Sequence, residues 1–343
     1  MYSNSSQFIA TILDANFEIN KKKIYAGQWC FSSREKTKNF LKNKDLHLIS
    51  NPWKNIDLLE KDYIYMQKLL DIYAKKLSIF LNVYHKKNFP ERYWNILTLS
   101  WLYYYIPSQL YRWKVVNEAL NFNKNLDFCL LNDDKESSPS YTIDYLNLIR
   151  DNNEFNYTVF KKILKFLKNN GKNINFLKKD FKFKEEKKIN LSISQKIKFN
   201  FYTLLDNFNL IMAKKNLIFI EDKIFTKKNF YKINLKLGQF PQHFRSLFNY
   251  HFENYHFENI NYDFKSRESL QFDEAASYDD LDMFPKFLDT VIKFDIPKCF
   301  LEGYNMLNNS VKNIKIRPKL IVSSYNHYHN EKFKYWVASN VIE

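Results

Sequence analysis

Apolar residues recur at every third or fourth position between residues 57 and 85, which is the spacing of one helix face. They are Leu59, Tyr63, Met66, Leu70, Tyr73, Leu77 and Phe80. This period predicts a long helix from Asp57 to about His85. Pro90 suits the first turn of a second helix, which we expect to run to about Leu120 with a kink at Pro107.

Short apolar runs without helical spacing occur before these two helices and after them, and they predict strands. The runs are Lys23–Ala26, His47–Ser50, Phe128–Leu131, Leu217–Ile220, Ile233–Leu237 and Leu320–Val322. Strands that alternate with helices favour a parallel sheet, because consecutive parallel strands need a crossover connection. The predicted fold class is therefore α/β, with a Rossmann-like parallel sheet and large helical insertions.

The middle of the chain is rich in lysine and weakly patterned. Thr158–Leu167 predicts an amphipathic helix with lysines on its outer side, and Gly171 suits the position just after a helix end. The helix is either a membrane-surface helix or a surface helix of an insertion, and we favour the second. Lys172–Lys198 is low in complexity and predicts a mobile insertion. A helix is expected over Phe240–Phe252 and an acidic loop over Glu268–Asp280.

The last residues predict a strand, a loop and a helix. Leu320–Val322 suits a buried strand and Ser323–His329 a loop. Asn330 suits the N-cap of a helix whose apolar face carries Phe333 and Trp336. Such a unit buries its helix by returning to another parallel strand. We therefore expect the chain to be the front part of a larger α/β protein.

The 343 residues carry a formal charge of +16. This charge predicts either an anionic partner or lysines spread over a solvated surface. Asn, Ile, Phe and Tyr are over-used together with Lys, which favours the spread surface and disfavours nucleic acid as a partner. Three dispersed cysteines, Cys30, Cys129 and Cys299, and an N-terminus without signal-peptide features indicate the cytoplasm.

Tyr93–Tyr111 contains no charged residue over 19 positions, which is nearly the length of a membrane span. The stretch is strongly aromatic and contains several polar residues. These features favour a helix that is buried inside a protein core.

Several common chemistries are excluded by what the chain lacks. The four glycines are Gly27, Gly171, Gly238 and Gly303. They are too dispersed for a GxGxxG loop or a Walker loop, and a GxSxG nucleophile elbow is absent. His251 and His256 lie five residues apart in a near-repeat, so they do not share a helix face, and HExxH is missing. We therefore expect no metal site.

The candidate binding residues follow two predicted strands, because ligands of open α/β sheets bind beyond the carboxyl ends of the strands. After the early strand, Gly27 permits a tight turn, Gln28 offers amide hydrogen bonds, and Trp29 offers a stacking face. Core packing is the alternative for Trp29. After the last strand, Ser324 and Asn326 are the candidates for binding substrate.

Two residues are candidates for acid–base catalysis. His327 follows the last strand, with His329 two positions later, and suits a general base, although loop histidines often have no such role. Glu302 lies in an otherwise apolar run, where an ionised carboxylate needs a partner or a raised pKa. The alternative for Glu302 is a salt-bridged structural residue.

These motifs together resemble a family of transferases from bacterial surface-polysaccharide and O-antigen gene clusters. The similar blocks are Lys23–Cys30, Asn51–Trp53, Arg92–Ile106, Phe284–Leu307 and Pro318–Ala338. The resemblance implies a GT-B-like glycosyltransferase with two Rossmann halves. In such enzymes the N-terminal half contributes the acceptor side of the cleft, and the C-terminal half binds the nucleotide-activated donor.

We accordingly divide the chain into three regions. Residues 1–150 are an α/β start with long aromatic helices, residues 151–270 a variable Lys-rich insertion region, and residues 271–343 a return to the sheet that is truncated before the donor domain.

The expected function is glycosyl transfer in O-antigen or lipopolysaccharide biosynthesis. The resemblance implies a nucleotide-activated sugar as donor and no bound cofactor. It also implies a lipid-linked or saccharide acceptor and peripheral contact with the inner membrane. The alternative is a non-catalytic basic module that binds anionic membrane or nucleic acid.

Overall fold

The computed structural model describes residues 5–15, 21–31, 46–131, 138–180, 217–221, 224–241, 260–272, 282–314 and 316–342, with residues 197, 201 and 204. Five parallel strands in this part of the chain form one sheet. They are β1 (Ser6–Ile9), β2 (Lys23–Tyr25), β3 (Leu46–Leu48), β4 (Asn125–Leu131) and β5 (Asn173–Lys179). Their order across the sheet is β3–β2–β1–β4–β5. The predicted α/β class with a Rossmann-like parallel sheet is confirmed.

Two strands of this sheet differ from the sequence prediction. β1 lies at the centre of the sheet but was not predicted, because two of its four residues, Ser6 and Gln7, are polar although buried. β5 falls within the predicted mobile insertion over Lys172–Lys198 and pairs with β4 along its whole length. The prediction is wrong for these residues, and residues 181–196 lie outside the described part of the chain.

Two long helices form an antiparallel hairpin between β3 and β4. After the four-residue α1 (Ile12–Ala15), they are α2 (Ile56–His85) and α3 (Glu91–Phe122). Each is about 45 Å long at 1.5 Å per residue, whereas a seven-residue strand spans only about 23 Å. α2 begins at the carboxyl end of β3 and α3 returns to the amino end of β4. The hairpin therefore extends well past the carboxyl edge of the sheet.

The predicted helix over residues 57–85 is confirmed almost to the residue. The side chain of Asn55 caps α2 by accepting hydrogen bonds from the backbone N–H groups of Asp57 and Leu58. α3 continues through Pro107, where the kink stays a prediction.

The uncharged stretch Tyr93–Tyr111 lies inside α3. Trp94, Trp101 and Tyr105 of this stretch are fully buried, which confirms the prediction of a core helix. Among the helices that the structure describes, none has the length and apolar character needed to cross a membrane.

Two helices cross over from β4 to β5, namely α4 (Thr142–Asp151) and α5 (Asn153–Asn169). α5 contains the predicted amphipathic helix and buries its apolar side, where Phe160 packs against Phe8 of β1 with ring centroids 5.9 Å apart. Its apolar side is therefore not available to a membrane surface. α5 is an amphipathic surface helix as favoured, with Lys165 and Lys168 exposed, but it belongs to the β4–β5 crossover of the sheet and not to an insertion. Gly171 follows it with a φ of 85°, as predicted for a residue after a helix end.

A second parallel pair of strands, β6 (Ile218–Ile220) and β7 (Leu320–Val322), confirms two more predicted strands. The predicted burial of β7 is wrong, because Leu320 is 54% exposed and Ile321 and Val322 are half-buried. In the described residues β7 pairs with β6 and not with the five-stranded sheet. The remaining helices are α6 (Lys227–Lys236), α7 (Phe264–Glu268), α8 (Met283–Asp295), α9 (Tyr304–Lys312), α10 (Tyr325–His329) and α11 (Glu331–Ile342).

Two local predictions in this region are wrong. Ile233–Leu237 is the end of helix α6 and not a strand, because Phe230 and Asn234, one helical turn apart, are both buried. The predicted loop over Ser323–His329 contains the short helix α10. The predictions for Phe240–Phe252 and Glu268–Asp280 lie mostly outside the described residues, although Phe240 itself is not helical.

The C-terminal helices pack on the hairpin, and Asn330 caps α11 as predicted by accepting a hydrogen bond of 2.8 Å from the N–H of Phe333. The buried ammonium of Lys334 forms an ion pair of 2.6 Å with Glu331. It also donates to Ser100 Oγ of α3 at 3.1 Å and to Thr142 Oγ1 of α4 at 3.0 Å. The division of the chain at residues 150 and 270 stays a prediction.

Candidate functional site

The carboxyl ends of β1 and β2 lie directly against each other. The N–H of Ala26 donates a hydrogen bond of 2.9 Å to the carbonyl of Ile9. The indole N–H of Trp29 donates to the carbonyl of Ala10 at 2.9 Å. Trp29 is nevertheless 40% exposed, beside the exposed Gln28. Its edge is therefore anchored to the sheet while much of its ring remains accessible.

Gly27 serves a different purpose from the one that the sequence suggested. Its φ of 178° is extended backbone that any residue adopts, so the turn itself does not need glycine. A Cβ atom at this position would lie only 2.1 Å from an atom of the Trp29 ring. Gly27 therefore provides the space in which the ring of Trp29 lies.

An aromatic row joins the ends of two strands. Tyr111 of α3 lies between Trp29, with ring centroids 6.1 Å apart, and Trp53, at 5.1 Å and an interplanar angle of 64°. Trp53 belongs to the Asn51–Trp53 block after β3. Two blocks that were singled out in the sequence thus meet at the carboxyl edge of the sheet through Tyr111.

A cleft of about 920 Å³ lies next to this aromatic row, between the end of β3 and helices α2, α3 and α8. At its wall Asp62 accepts a hydrogen bond of 2.9 Å from the indole N–H of Trp53 and one of 2.6 Å from the ammonium of Lys114. Four asparagines also line the cleft, namely Asn51, Asn55, Asn117 and Asn121.

The cleft does not share the positive charge of the chain. Its ionisable lining residues are two lysines and three carboxylates, which gives a formal charge of −1. They are Lys54, Lys114, Asp62, Glu118 and Asp282. This contrasts with the charge of +16 for the whole chain. The lining therefore suits a neutral ligand rich in hydroxyl groups better than a polyanion.

The two predicted binding residues after β7 are engaged within the chain. The buried carboxylate of Glu221, just after β6, accepts hydrogen bonds from the backbone N–H groups of Ser324 at 2.9 Å and Asn326 at 3.2 Å. It also accepts one of 2.8 Å from the hydroxyl of Ser323. These backbone amides therefore hold α10 in place, while the side chain of Ser324 is exposed.

Helix α10, which carries His327, contacts α3 through another of its residues, His329. The ring of His329 lies parallel to that of Tyr104, with centroids 6.5 Å apart. Tyr104 and Tyr111 are seven residues apart, so they share a helix face and are separated by about 10 Å along the axis. The two predicted groups, one after β2 and one after β7, thus approach one stripe of α3.

The surroundings of the half-buried His327 disfavour its protonated form, although the carboxylate of Glu331 opposes this effect. Burial lowers the pKa of His327 below the ordinary value, and the nearby positive charge of Lys334 lowers the pKa further. A neutral imidazole can accept a proton, as the predicted role of general base requires.

A family model for transferases matches nearly the whole chain. The model is described as LIC12162 family transferase, and it matches residues 6–343. The chain belongs to this family. Comparisons with curated proteins and with solved structures found no match. The LIC12162 family match includes both candidate groups, the one after β2 and the one after β7.

Glu302 of this LIC12162 family transferase makes its hydrogen bonds with other residues, Arg267 and Asp263. Its two carboxylate oxygens accept hydrogen bonds of 2.7 Å from Nε and Nη2 of Arg267. Oε1 accepts a further one from the backbone N–H of Asp263 at 3.1 Å. The structure therefore shows the salt-bridged alternative, and the catalytic role of Glu302 stays a prediction.

Asp14 is a buried acid of the transferase that sequence reasoning missed. It lies beyond β1 and accepts hydrogen bonds from the backbone N–H groups of Ala10 at 2.7 Å and Thr11 at 2.8 Å. Burial raises its pKa to about 6. The polar residue between two apolar ones in the segment Ile12–Ala15 gave no clear signal, because β1 itself was not predicted.

In the described part of the transferase, no group of three or more His, Cys, Asp or Glu side chains is arranged to hold a metal ion. His251 and His256 lie outside the described residues.

Proposed function

We propose that this transferase is a glycosyltransferase of bacterial surface-polysaccharide biosynthesis, acting on O-antigen or lipopolysaccharide. It moves a sugar from a nucleotide-activated donor to a lipid-linked or saccharide acceptor. The GT-B-like architecture, with this chain on the acceptor side, and a cytoplasmic location at the inner membrane are part of the same proposal.

The observation that carries the proposal is the cleft beside the aromatic row. Asparagine amides offer both donors and acceptors to sugar hydroxyls. Part of this capacity is used within the chain, since the amide oxygen of Asn55 caps α2 and the amide of Asn117 donates to the carbonyl of Trp113. Trp29 and Trp53 provide ring surfaces on which the apolar face of a sugar packs. The cleft itself is lined mainly by polar side chains, with Tyr65, Trp113 and Phe284 as its aromatic wall, a composition that supports a ligand rich in hydroxyl groups.

The charge of the cleft supports an acceptor site more than a site for the donor phosphates. A groove that binds a diphosphate needs an excess of positive charge or backbone donors. The lining has three carboxylates against two lysines. The same balance argues against this cleft as the place where an anionic membrane or nucleic acid binds, because such partners bind to basic surfaces.

In the proposed reaction an acceptor hydroxyl oxygen forms a bond to the anomeric carbon of the donor sugar. The bond between that carbon and the diphosphate oxygen breaks, and its electron pair leaves with the nucleotide diphosphate. The hydroxyl proton passes to His327, which is half-buried and lies on α10. Because α10 contacts α3 at Tyr104, about 10 Å along the helix from Tyr111, the acceptor must extend from the cleft along α3 to reach this base. Positioned bases of this kind contribute about 10²- to 10⁴-fold to rates.

The experiment is transfer of labelled sugar from a panel of nucleotide sugars to saccharide and lipid-linked acceptors by the purified full chain. We expect His327→Gln to lower kcat by at least about 100-fold with little change in KM. We expect Asn117→Ala to raise the KM for the acceptor. Arg150→Ala, at an exposed ion pair with Asp151, is the control and should leave both constants unchanged.

Unchanged kcat in His327→Gln would remove this residue from catalysis. Absence of transfer from every donor, together with salt-sensitive binding of anionic vesicles or oligonucleotides, would favour the non-catalytic alternative.

A further inference from the structure

Residues 224–241 form a surface in which lysines alternate with exposed apolar side chains. This described segment contains four lysines and no acidic residue: Lys227, Lys228, Lys232 and Lys236. It also exposes five large apolar side chains: Phe225, Tyr231, Leu235, Leu237 and Phe240. We call Lys228, Lys232, Leu235, Leu237 and Phe240 the basic–apolar surface.

One side of helix α6 is buried against the protein. Phe230 and Asn234 are almost fully buried, and the side chain of Asn234 donates to the carbonyl of Phe230 at 2.8 Å. Lys228, Lys232 and Leu235 follow the i, i+4 and i+7 spacing of another helix face. Leu235 is 66% exposed, so this face combines positive charge with apolar area at the protein surface.

The chain reversal after α6 fixes two further apolar side chains in exposed positions. Gly238 has a φ of 66°, and the N–H of Gln239 donates to the carbonyl of Asn234 at 3.0 Å, which is the pattern of a Schellman motif. The buried amide of Gln239 donates to the carbonyl of Ile218 at 2.7 Å and accepts from its N–H at 3.1 Å. This clamp to β6 leaves Phe240 54% exposed.

We propose that the basic–apolar surface binds the surface of an anionic phospholipid bilayer. Lysines attract the anionic headgroups, and apolar side chains enter the boundary between headgroups and acyl chains. A helix with lysines beside leucine and aromatic residues is typical of such interfacial binding. The proposal does not depend on which group the transferase moves.

The aliphatic residues distinguish a lipid surface from nucleic acid. Single-stranded nucleic acid binds to lysines and to aromatic rings on which bases stack, and it gains little from leucine. Leu235 and Leu237 are both exposed on the basic–apolar surface. The four lysines without acidic neighbours also disfavour a second copy of the same surface, because like charges would face each other.

The experiment is co-sedimentation of the full chain with vesicles of phosphatidylcholine alone or with added phosphatidylglycerol. We expect binding only to the anionic vesicles. Lys228→Ser with Lys232→Ser should weaken it about 30-fold, since each lysine near an anionic surface contributes about 1 kcal/mol. Leu235→Ser with Phe240→Ser should weaken it at least about tenfold.

Matched controls change the same residue types elsewhere. Lys68→Ser with Lys75→Ser removes two exposed lysines from α2, and Val83→Ser removes an exposed apolar side chain from it. Both controls should bind the vesicles like the unmodified chain. Equal losses in the controls and in the surface variants would overturn the proposal, since overall charge would then govern binding.

Three other results would also overturn it. The first is unchanged vesicle binding in the Leu235→Ser, Phe240→Ser variant, with circular dichroism showing that the fold is retained. The second is binding of a labelled oligonucleotide, with no vesicle binding, that depends on the lysines but not on the leucine. The third is a dimer in sedimentation velocity that the apolar substitutions dissociate.

Discussion

Arg267 and Glu302 form a two-pronged ion pair in which Nε and Nη2 of the guanidinium each lie 2.7 Å from a carboxylate oxygen. The side chain of Arg267 is fully buried, and its Nη1 donates to the carbonyls of Lys293, Phe294 and Ile296. The pair therefore ties the loop before α9 to α7 and to the end of α8.

We expect Arg267→Met to lower the free energy of unfolding by about 3–5 kcal/mol, because it leaves Glu302 without its counter-charge. Arg267→Lys should lower the free energy of unfolding almost as much, since an ammonium cannot form the two parallel hydrogen bonds. Urea denaturation measures both effects.

Arg150→Ala serves as the control for this prediction, because it breaks an ion pair whose two side chains are both 62% exposed. It should leave the midpoint of unfolding unchanged. An Arg267→Met variant that unfolds at the same urea concentration as the unmodified chain would contradict the structural role of the pair.

The space at Gly27 predicts a specific effect of adding one methyl group. In Gly27→Ala the ring of Trp29 must move, because the new Cβ would lie 2.1 Å from a ring atom. The hydrogen bond to Ala10 would then be lost, which costs about 1 kcal/mol. We expect lower stability and stronger quenching of tryptophan fluorescence by acrylamide.

A double-mutant cycle separates this effect from general strain. If the clash with Trp29 is the cause, Gly27→Ala should cost less in a Trp29→Ala background than in the unmodified chain. Equal losses in both backgrounds would show that the backbone at Gly27, and not the ring, sets the requirement for glycine.

His85 makes the stability of the protein depend on pH. Its ring lies against that of Tyr304, with centroids 4.0 Å apart, and Nε2 lies 2.9 Å from the carbonyl of Phe300. Burial lowers the pKa of His85 to about 4, from an ordinary value of 6.5. Between these values the unfolded chain binds more protons than the folded one, so the free energy of unfolding falls as the pH falls.

We expect the contribution of His85 to the free energy of unfolding to be constant above about pH 6.5. Acidification to about pH 4 should lower the free energy of unfolding by up to about 3 kcal/mol. His85→Phe keeps an aromatic ring and removes the titration, so its stability should change less over that range. Thermal unfolding at a series of pH values measures the slope, and equal slopes in the two proteins would contradict the assignment.

Asp14 changes the free energy of unfolding with pH in the direction opposite to that of His85. Its pKa is raised to about 6 by burial, so between about pH 4 and 6 the folded chain binds more protons than the unfolded one. This contribution is complete at low pH and is lost as the pH rises through 6. Asp14→Asn should therefore steepen the loss of stability on acidification.

The long helices and the fold class were predictable from the periodicity of apolar residues, whereas short elements with polar residues were not. Seven apolar positions were enough to predict α2 from Asp57 to His85, and the structure begins it at Ile56. β1 was missed because its buried Gln7 has no apolar signature, although its amide donates to the thiol of Cys129 in the core. Ile233–Leu237 resembles a strand in isolation, but the burial of Phe230 and Asn234 makes it helical.

The candidate site was predictable only in part, for a related reason. Position after a strand identified Trp29 and His327. The residues that complete the surroundings, Tyr111 and Asp62, lie in the interiors of long helices, where nothing in the local sequence separates them from packing residues. Arg267, the partner of Glu302, lies 35 residues earlier in the chain. The sequence alone therefore could not decide between a catalytic and a salt-bridged Glu302.

The helical hairpin also has a consequence for the order of synthesis. α2 and α3 are complete once residue 122 has been made, but the helix that covers them, α11, ends at Ile342. At about 5–20 residues per second, the ribosome needs about 10–40 s to make the intervening chain. During that interval the side of α3 at Leu97 and Ser100, which later accept hydrogen bonds from Lys334 of α11, lacks its cover. We therefore expect the nascent chain to need chaperones that recognise exposed apolar helices.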